Sequence, residues 1–127
     1  MERKWKISGK VIDDCLCITL LGSSSEEEIL NEITPTVLKL AGEYHTPRIF
    51  VDVRPFESRL GVVQTFLSVE EYPDFMRFYK IAVVDIPENR PTFQFHELVA
   101  QNRGFNIRFF TDFETAKNWL LTDSTRT

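Results

Sequence analysis

The sequence has few of the residues that catalytic and metal-binding motifs require. It contains two cysteines, two histidines and five glycines in 127 residues. The glycines are scattered, so the chain has no P-loop, no Gly-x-Gly-x-x-Gly loop and no Gly-x-Ser-x-Gly elbow. His45 and His96 lie far from each other and from both cysteines, and this spacing is not that of a metal site. We therefore expect a binding protein rather than an enzyme, with no cofactor or metal.

The chain also lacks an excess of positive charge and has no long apolar run. The formal net charge is −4, which argues against nucleic acid as a partner because nucleic-acid binding needs a basic surface. No apolar run approaches the ~18–20 residues that span a bilayer. The N-terminal residues contain no signal-peptide core. We expect one cytoplasmic domain over residues 1–127, with no transmembrane segment.

The two cysteines, Cys15 and Cys17, lie two residues apart in an apolar run. In a strand they point to the same face, which is poor geometry for a disulfide between them. We interpret them as small hydrophobic residues of the core. Phenylalanine is abundant instead, with 11 residues. An exposed group of such rings would indicate a dimer interface or an apolar ligand site.

The first part of the chain has the pattern of a hairpin followed by a helix. Residues 5–11 alternate between apolar and polar, Asp13-Asp14 interrupts, and residues 15–21 are mostly apolar, which predicts an antiparallel strand pair. Each serine of residues 23–25 precedes a glutamate by three positions, so we interpret them as helix caps rather than as a phosphorylation tract. Pro35 should kink or restart the helix after Thr34.

Strand and helix patterns then alternate to the end of the chain. Strands are predicted at residues 48–53, 80–85 and 106–110, helices at 58–72, 91–103 and 111–120, and a polar tail at 123–127. The order is β-β-α-β-α-β-α-β-α. Such alternation requires right-handed crossovers and predicts an α/β layered sheet, mainly parallel with an antiparallel first strand.

Four segments resemble the STAS domain, and more closely its SpoIIAA-like branch of bacterial proteins. They are residues 49–53, 80–85, 106–110 and 114–120, and the last is similar to the Glu-x-Ala-x-x-Trp-Leu ending of that branch. The resemblance covers nearly the whole chain. It implies the layered STAS sheet and a non-enzymatic regulatory module that acts through protein–protein contact, as a homodimer.

The resemblance also points to a phosphorylation site. In anti-sigma-factor antagonists the third strand leads to an Asp-Ser-Ser-Gly-Leu-Gly motif, whose serine is phosphorylated by a partner kinase. The matching residues here are Glu57-Ser58-Arg59-Leu60-Gly61. Ser58 has about the right place, but Arg59 replaces a small residue. We interpret Ser58 as the N-cap of the following helix, with phosphorylation as the alternative.

The same branch is similar in fold to CRAL-TRIO lipid-binding domains, which suggests a second function. That similarity implies a carrier of a lipid or small apolar ligand. Six side chains cluster in and after the predicted helix 58–72 and are candidates for a ligand or dimer surface: Phe66, Tyr72, Phe75, Met76, Phe78 and Tyr79.

A third hypothesis places chemistry at the ends of the parallel strands, where open α/β sheets bind ligands. Asp52, Asp85 and Asp112 fall at such ends, with Arg54 and Glu57 close by in sequence. Clustered carboxylates there could hold a magnesium ion or take part in phosphoryl transfer.

Overall fold

The computed structural model describes residues 4–122, which form one sheet with helices on both faces. The strands are β1 (Trp5–Ile12), β2 (Cys15–Gly22), β3 (Arg48–Asp52), β4 (Lys80–Val84) and β5 (Asn106–Phe110). The helices are α1 (Glu26–Glu28), α2 (Thr34–Glu43), α3 (Val62–Glu70), α4 (Arg90–Asn102) and α5 (Phe113–Leu121). A π-helical turn (Ile29–Ile33) joins α1 to α2, and 3₁₀ turns occupy Asp74–Phe78 and Pro87–Asn89. The tail predicted at residues 123–127 lies outside the described residues.

The strands lie in the order β1-β2-β3-β4-β5, with β1 antiparallel to β2 and every other pair parallel. This confirms the predicted fold class. Along the chain, each parallel strand joins the sheet next to the preceding strand, always toward the same edge of the sheet. Right-handed crossovers therefore place α2, α3 and α4 on one face of the sheet. No helix within residues 4–122 is long and apolar enough to cross a membrane.

The opposite face is covered by α5, which follows the last strand. Ala116 and Leu120 are buried there against Phe50, Ala82 and Val84. The side chain of Asp112 accepts a hydrogen bond from the Thr115 backbone N–H and caps the helix. The face toward α2–α4 holds the alternate residues of the same strands, such as Ile49, Ile81 and Ile107.

The β1–β2 hairpin has a two-residue turn. Asp13 and Asp14 have φ values of 52° and 64°, the left-handed backbone of a type I′ turn. Cys15 and Cys17 are free thiols, Cys15 buried and Cys17 half-buried, and both belong to the core against α5. Burial raises the pKa of each thiol, which keeps them protonated and weakly nucleophilic at neutral pH.

The serine run caps the first helix, as predicted. Ser25 Oγ accepts a hydrogen bond from the Glu28 backbone N–H, and Glu28 Oε1 accepts one from the Ser25 N–H, a complete capping box. The helix then widens into the π-helical turn, and α2 starts at Thr34. Pro35 has no N–H to offer the carbonyl four residues earlier, which explains the change of helix type at this point.

One predicted boundary is wrong. The helix expected over residues 58–72 is limited to Val62–Glu70, and its N-cap is Gly61 rather than Ser58. The residues between Phe56 and Gly61 form an extended loop instead. This loop is held by tertiary contacts, which local sequence patterns do not show.

Candidate functional site

A buried ion pair fixes the loop that leads into α3. Asp85, directly after β4, is only 1% exposed. Arg59 contacts it in a bidentate manner, from Nη2 to Oδ1 at 2.6 Å and from Nε to Oδ2 at 3.1 Å. Oδ1 also accepts hydrogen bonds from the Ile86 backbone N–H and from Asn89 Nδ2. The carboxylate is therefore well satisfied despite its burial.

The rest of the Arg59 guanidinium binds the loop itself. Nη1 donates to the carbonyls of Phe56 and Ser58, at 2.5 and 2.7 Å, and Nη2 also donates to that of Val53 at 2.9 Å. A guanidinium has five N–H donors, and these contacts together with the two to Asp85 account for all five. Arg59 therefore anchors the loop and keeps no donor for a bound anion.

Ser58 lies in this loop and joins it to the segment before α1. Its Oγ accepts a hydrogen bond from the Ser24 backbone N–H at 2.8 Å. The backbone N–H of Gly61, the true N-cap, donates to Glu26 Oε2 at 2.6 Å. The interpretation of Ser58 as an N-cap is thus corrected, since a carboxylate from another element binds at that helix start. Phosphorylation of Ser58 stays a prediction.

The acidic side chains at the strand ends do not converge. Asp52 is opposite Val84 in the β3–β4 register, so Asp85, one residue further, projects from the other face of the sheet. Burial raises the pKa of Asp52, but its hydrogen bonds from Arg54 outweigh burial and hold that pKa below its ordinary value. Glu57 is exposed. Within residues 4–122 no group of three potential metal-ligating side chains is found.

A cavity of about 210 Å³ lies between the sheet and α2, α3 and α4. Its wall is predominantly apolar, and one end is formed by Ser58, Arg59 and Asp85. For scale, an apolar cavity of roughly 150 Å³ is large enough to bind benzene. The cavity is therefore a candidate ligand site. Sequence periodicity could not reveal it, because the strands and helices that line it have the apolar pattern of ordinary core elements.

Tyr72 and His96 meet in the wall of this cavity. Their Oη and Nε2 atoms are 2.9 Å apart. Burial raises the pKa of Tyr72 to about 12 and lowers the pKa of His96 to about 4. Both are uncharged at neutral pH. The pair is 24 positions apart in sequence, so no local signal could have predicted it.

The six side chains predicted as a ligand or dimer surface divide into two groups. Tyr72, Met76 and Tyr79 line the cavity. The other three are exposed, by 42%, 42% and 81%: Phe66, Phe75 and Phe78. The cavity-lining side chains and the exposed side chains thus lie in separate places, which the sequence cluster had combined.

Helix α3 is amphipathic in the reverse sense to an ordinary surface helix. Thr65, Ser68 and Val69 are its buried residues. Its outer side, which we term the α3 face, consists of four apolar residues that are 65%, 66%, 42% and 48% exposed: Val62, Val63, Phe66 and Leu67. A surface helix normally buries its apolar side chains, and α3 has the opposite orientation.

Solved structures share this fold. The chain is similar to an anti-sigma factor antagonist from Mycobacterium paratuberculosis, with a TM-score of 0.62 and 12% identity over 93% of this chain and 95% of that one. It is also similar to an uncharacterised protein of the DUF3478 family with a SpoIIAA-like fold from Shewanella loihica PV-4, with a TM-score of 0.57 and 16% identity over 91% and 93% of the two chains. These likenesses confirm the predicted STAS-like, SpoIIAA-like fold. No family model and no curated protein matches the chain.

The two arginine–aspartate pairs should differ greatly in their contribution to stability. Arg59→Met leaves Asp85 buried without a cation, and we expect it to lower the free energy of unfolding by about 3–5 kcal/mol. Arg54→Met removes the more exposed pair with Asp52, whose side chains are 40% and 19% exposed, and should cost less than about 1 kcal/mol. Urea unfolding of the two variants measures the difference. Equal losses would contradict the anchoring role of Arg59.

His96 should make the protein less stable as the pH falls. Its folded pKa of about 4 lies below the ordinary value of 6.5, so the unfolded chain binds the proton more readily. The stabilisation is complete above pH 6.5 and is lost toward pH 4, with a slope of up to about 1.4 kcal/mol per pH unit. Urea unfolding at pH 7, 6 and 5 measures it, and His96→Gln should flatten that slope. An unchanged slope would show that His96 is not held neutral.

Proposed function

We propose that the protein is a non-enzymatic, cytoplasmic regulatory module that binds a protein partner through the α3 face. The observation that carries this proposal is the reversed amphipathicity of α3, which leaves Val62, Val63, Phe66 and Leu67 in contact with solvent. Each large apolar side chain left in water forgoes roughly 1.5–3 kcal/mol of burial. A bound partner would recover much of that energy.

The surroundings of the α3 face also suit protein binding. Arg103 donates a hydrogen bond to the Glu70 carboxylate at the edge of the face, and its guanidinium lies 5.3 Å from the ring centroid of Phe66. An apolar centre with a charged rim is the usual anatomy of a protein interface. The fold-level likeness to an anti-sigma factor antagonist, a protein described by its action on another protein, supports the same class of function.

We also propose that, in the isolated protein, a second copy of the chain binds to the α3 face. A two-fold dimer needs only one self-complementary patch, and four neighbouring apolar side chains on a regular helix can pack against their own symmetry mates. Such a homodimer would cover the α3 face until a regulatory partner replaces the second copy.

A charge on the α3 face should abolish self-association. We expect light scattering to show a dimer for the unmodified protein, a monomer for Leu67→Glu, and a dimer for the control Leu121→Glu, which places the same charge at a 39% exposed leucine on α5. Folding of all three is checked by circular dichroism. A wild-type monomer at high concentration would contradict the homodimer. Partner capture that survives Leu67→Glu would contradict the α3 face as the binding surface.

We also propose, as a second function, that the protein carries a small apolar ligand in the cavity. The supporting observation is the largely apolar wall and the volume of about 210 Å³, which exceeds that of cavities known to take benzene. Native mass spectrometry of protein from its own source should show a bound small molecule, and Ala41→Leu, which adds three carbons to the wall, should reduce that species. Protein without any bound mass, together with no uptake of added toluene, would contradict this function.

The strand-end aspartates lend no support to phosphoryl or metal-dependent chemistry. Asp52 and Asp85 project from opposite faces of the sheet, and each forms an ion pair with its own arginine. A shared ion would need oxygens from both within roughly 2–2.6 Å.

A further inference from the structure

We infer that the cavity selects small uncharged molecules bearing one hydroxyl or carbonyl group, such as a simple alcohol, phenol, aldehyde or ketone, and rejects carboxylates. This inference rests on the carrier function proposed above and specifies its ligand class. Three properties of the cavity carry it: its volume, the state of its charged groups, and one buried hydroxyl without a partner.

The volume limits the ligand to a single ring or a short chain. The cavity measures about 210 Å³, between the roughly 150 Å³ that holds benzene and the roughly 300–1,000 Å³ of pockets for drug-sized molecules. A ring with a short polar substituent fits this space. A diacyl lipid is far too large for it.

The charged groups of the cavity leave nothing to neutralise an anion. Arg59 and His96 are the cationic residue types among the described residues that line it. All five N–H donors of Arg59 are bound to Asp85 and to loop carbonyls, and His96 is held uncharged by burial. Arg59 and Asp85 neutralise each other, so this end of the cavity has no net positive charge. A carboxylate entering here would lose its hydration without gaining a cation, which is strongly unfavourable.

Thr65 provides the polar contact for a neutral ligand. It lines the cavity and is only 2% exposed, yet its hydroxyl has no hydrogen-bond partner among residues 4–122. A buried hydroxyl without a partner is costly, and native proteins usually satisfy such groups with protein, water or ligand. Tyr72, by contrast, already has a hydrogen-bond partner in His96. A ligand hydroxyl or carbonyl next to Thr65 would satisfy the orphaned group.

Three probes that share one aromatic ring and are similar in size test this inference on the full chain: toluene, benzyl alcohol and benzoate at pH 7. Binding is followed by NMR shifts of cavity-lining residues. We expect benzyl alcohol to bind at least about tenfold more tightly than benzoate, since the anion finds no free cation. Thr65→Val keeps the shape and removes the hydroxyl, so the affinity ratio of benzyl alcohol to toluene should fall about threefold to tenfold.

The control is Thr19→Val, which makes the same change on the other face of the sheet, where Thr19 pairs with Asp52. It should leave the ratio unaltered. Thr65→Val should fold at least as well as the parent, because it removes an unsatisfied buried polar group. If toluene and benzyl alcohol both fail to bind, the carrier function and this inference are overturned together. If toluene binds but the ratio is unchanged in Thr65→Val, or benzoate binds as well as benzyl alcohol, only the ligand class is overturned.

Discussion

The ion pair between Arg59 and Asp85 determines how one side of this molecule is built. Asp85 at the end of β4 is buried and needs a cation, and Arg59 supplies it while donating to three carbonyls of the loop before α3. The path of that loop sets where α3 begins, at Val62. With the loop fixed, α3 turns Thr65 and Ser68 inward and its apolar residues outward. The cavity and the α3 face are two consequences of this one arrangement.

One wall of the cavity and the α3 face are formed by opposite sides of the same nine-residue helix. Its inner side contributes polar groups to an otherwise apolar cavity, and its outer side presents apolar groups to solvent. A molecule that fills the cavity contacts the inner side directly. Any shift of the helix on ligand binding would move the outer side as well, because a helix moves as a rigid element through its backbone hydrogen bonds. The proposed ligand carriage and the proposed partner binding would therefore be physically connected through α3.

Periodicity and capping chemistry predicted the fold well. The tertiary contacts that form the candidate site could not be predicted from them. The alternation of apolar strands with one-sided helices implied a mainly parallel sheet with an antiparallel first strand, and Ser25 and Glu28 formed the capping box that their spacing indicated. Ser58 was misread as a cap because the group at the start of α3, the Glu26 carboxylate, is 35 positions away in sequence. In the sequence, Arg59 stands out only as a departure from a motif. Its partner Asp85 is 26 positions away, and one sequence contains no signal that pairs them.

Thiol labelling can show directly whether α3 turns its polar side inward. Single cysteines are introduced as Val63→Cys and Ser68→Cys in a background without Cys15 and Cys17, and each is treated with a maleimide under native conditions. We expect the thiol at position 63 to react at the rate of a free thiol. The thiol at position 68 should react far more slowly, at a rate limited by local opening of the structure. Equal and rapid labelling at both positions would contradict it.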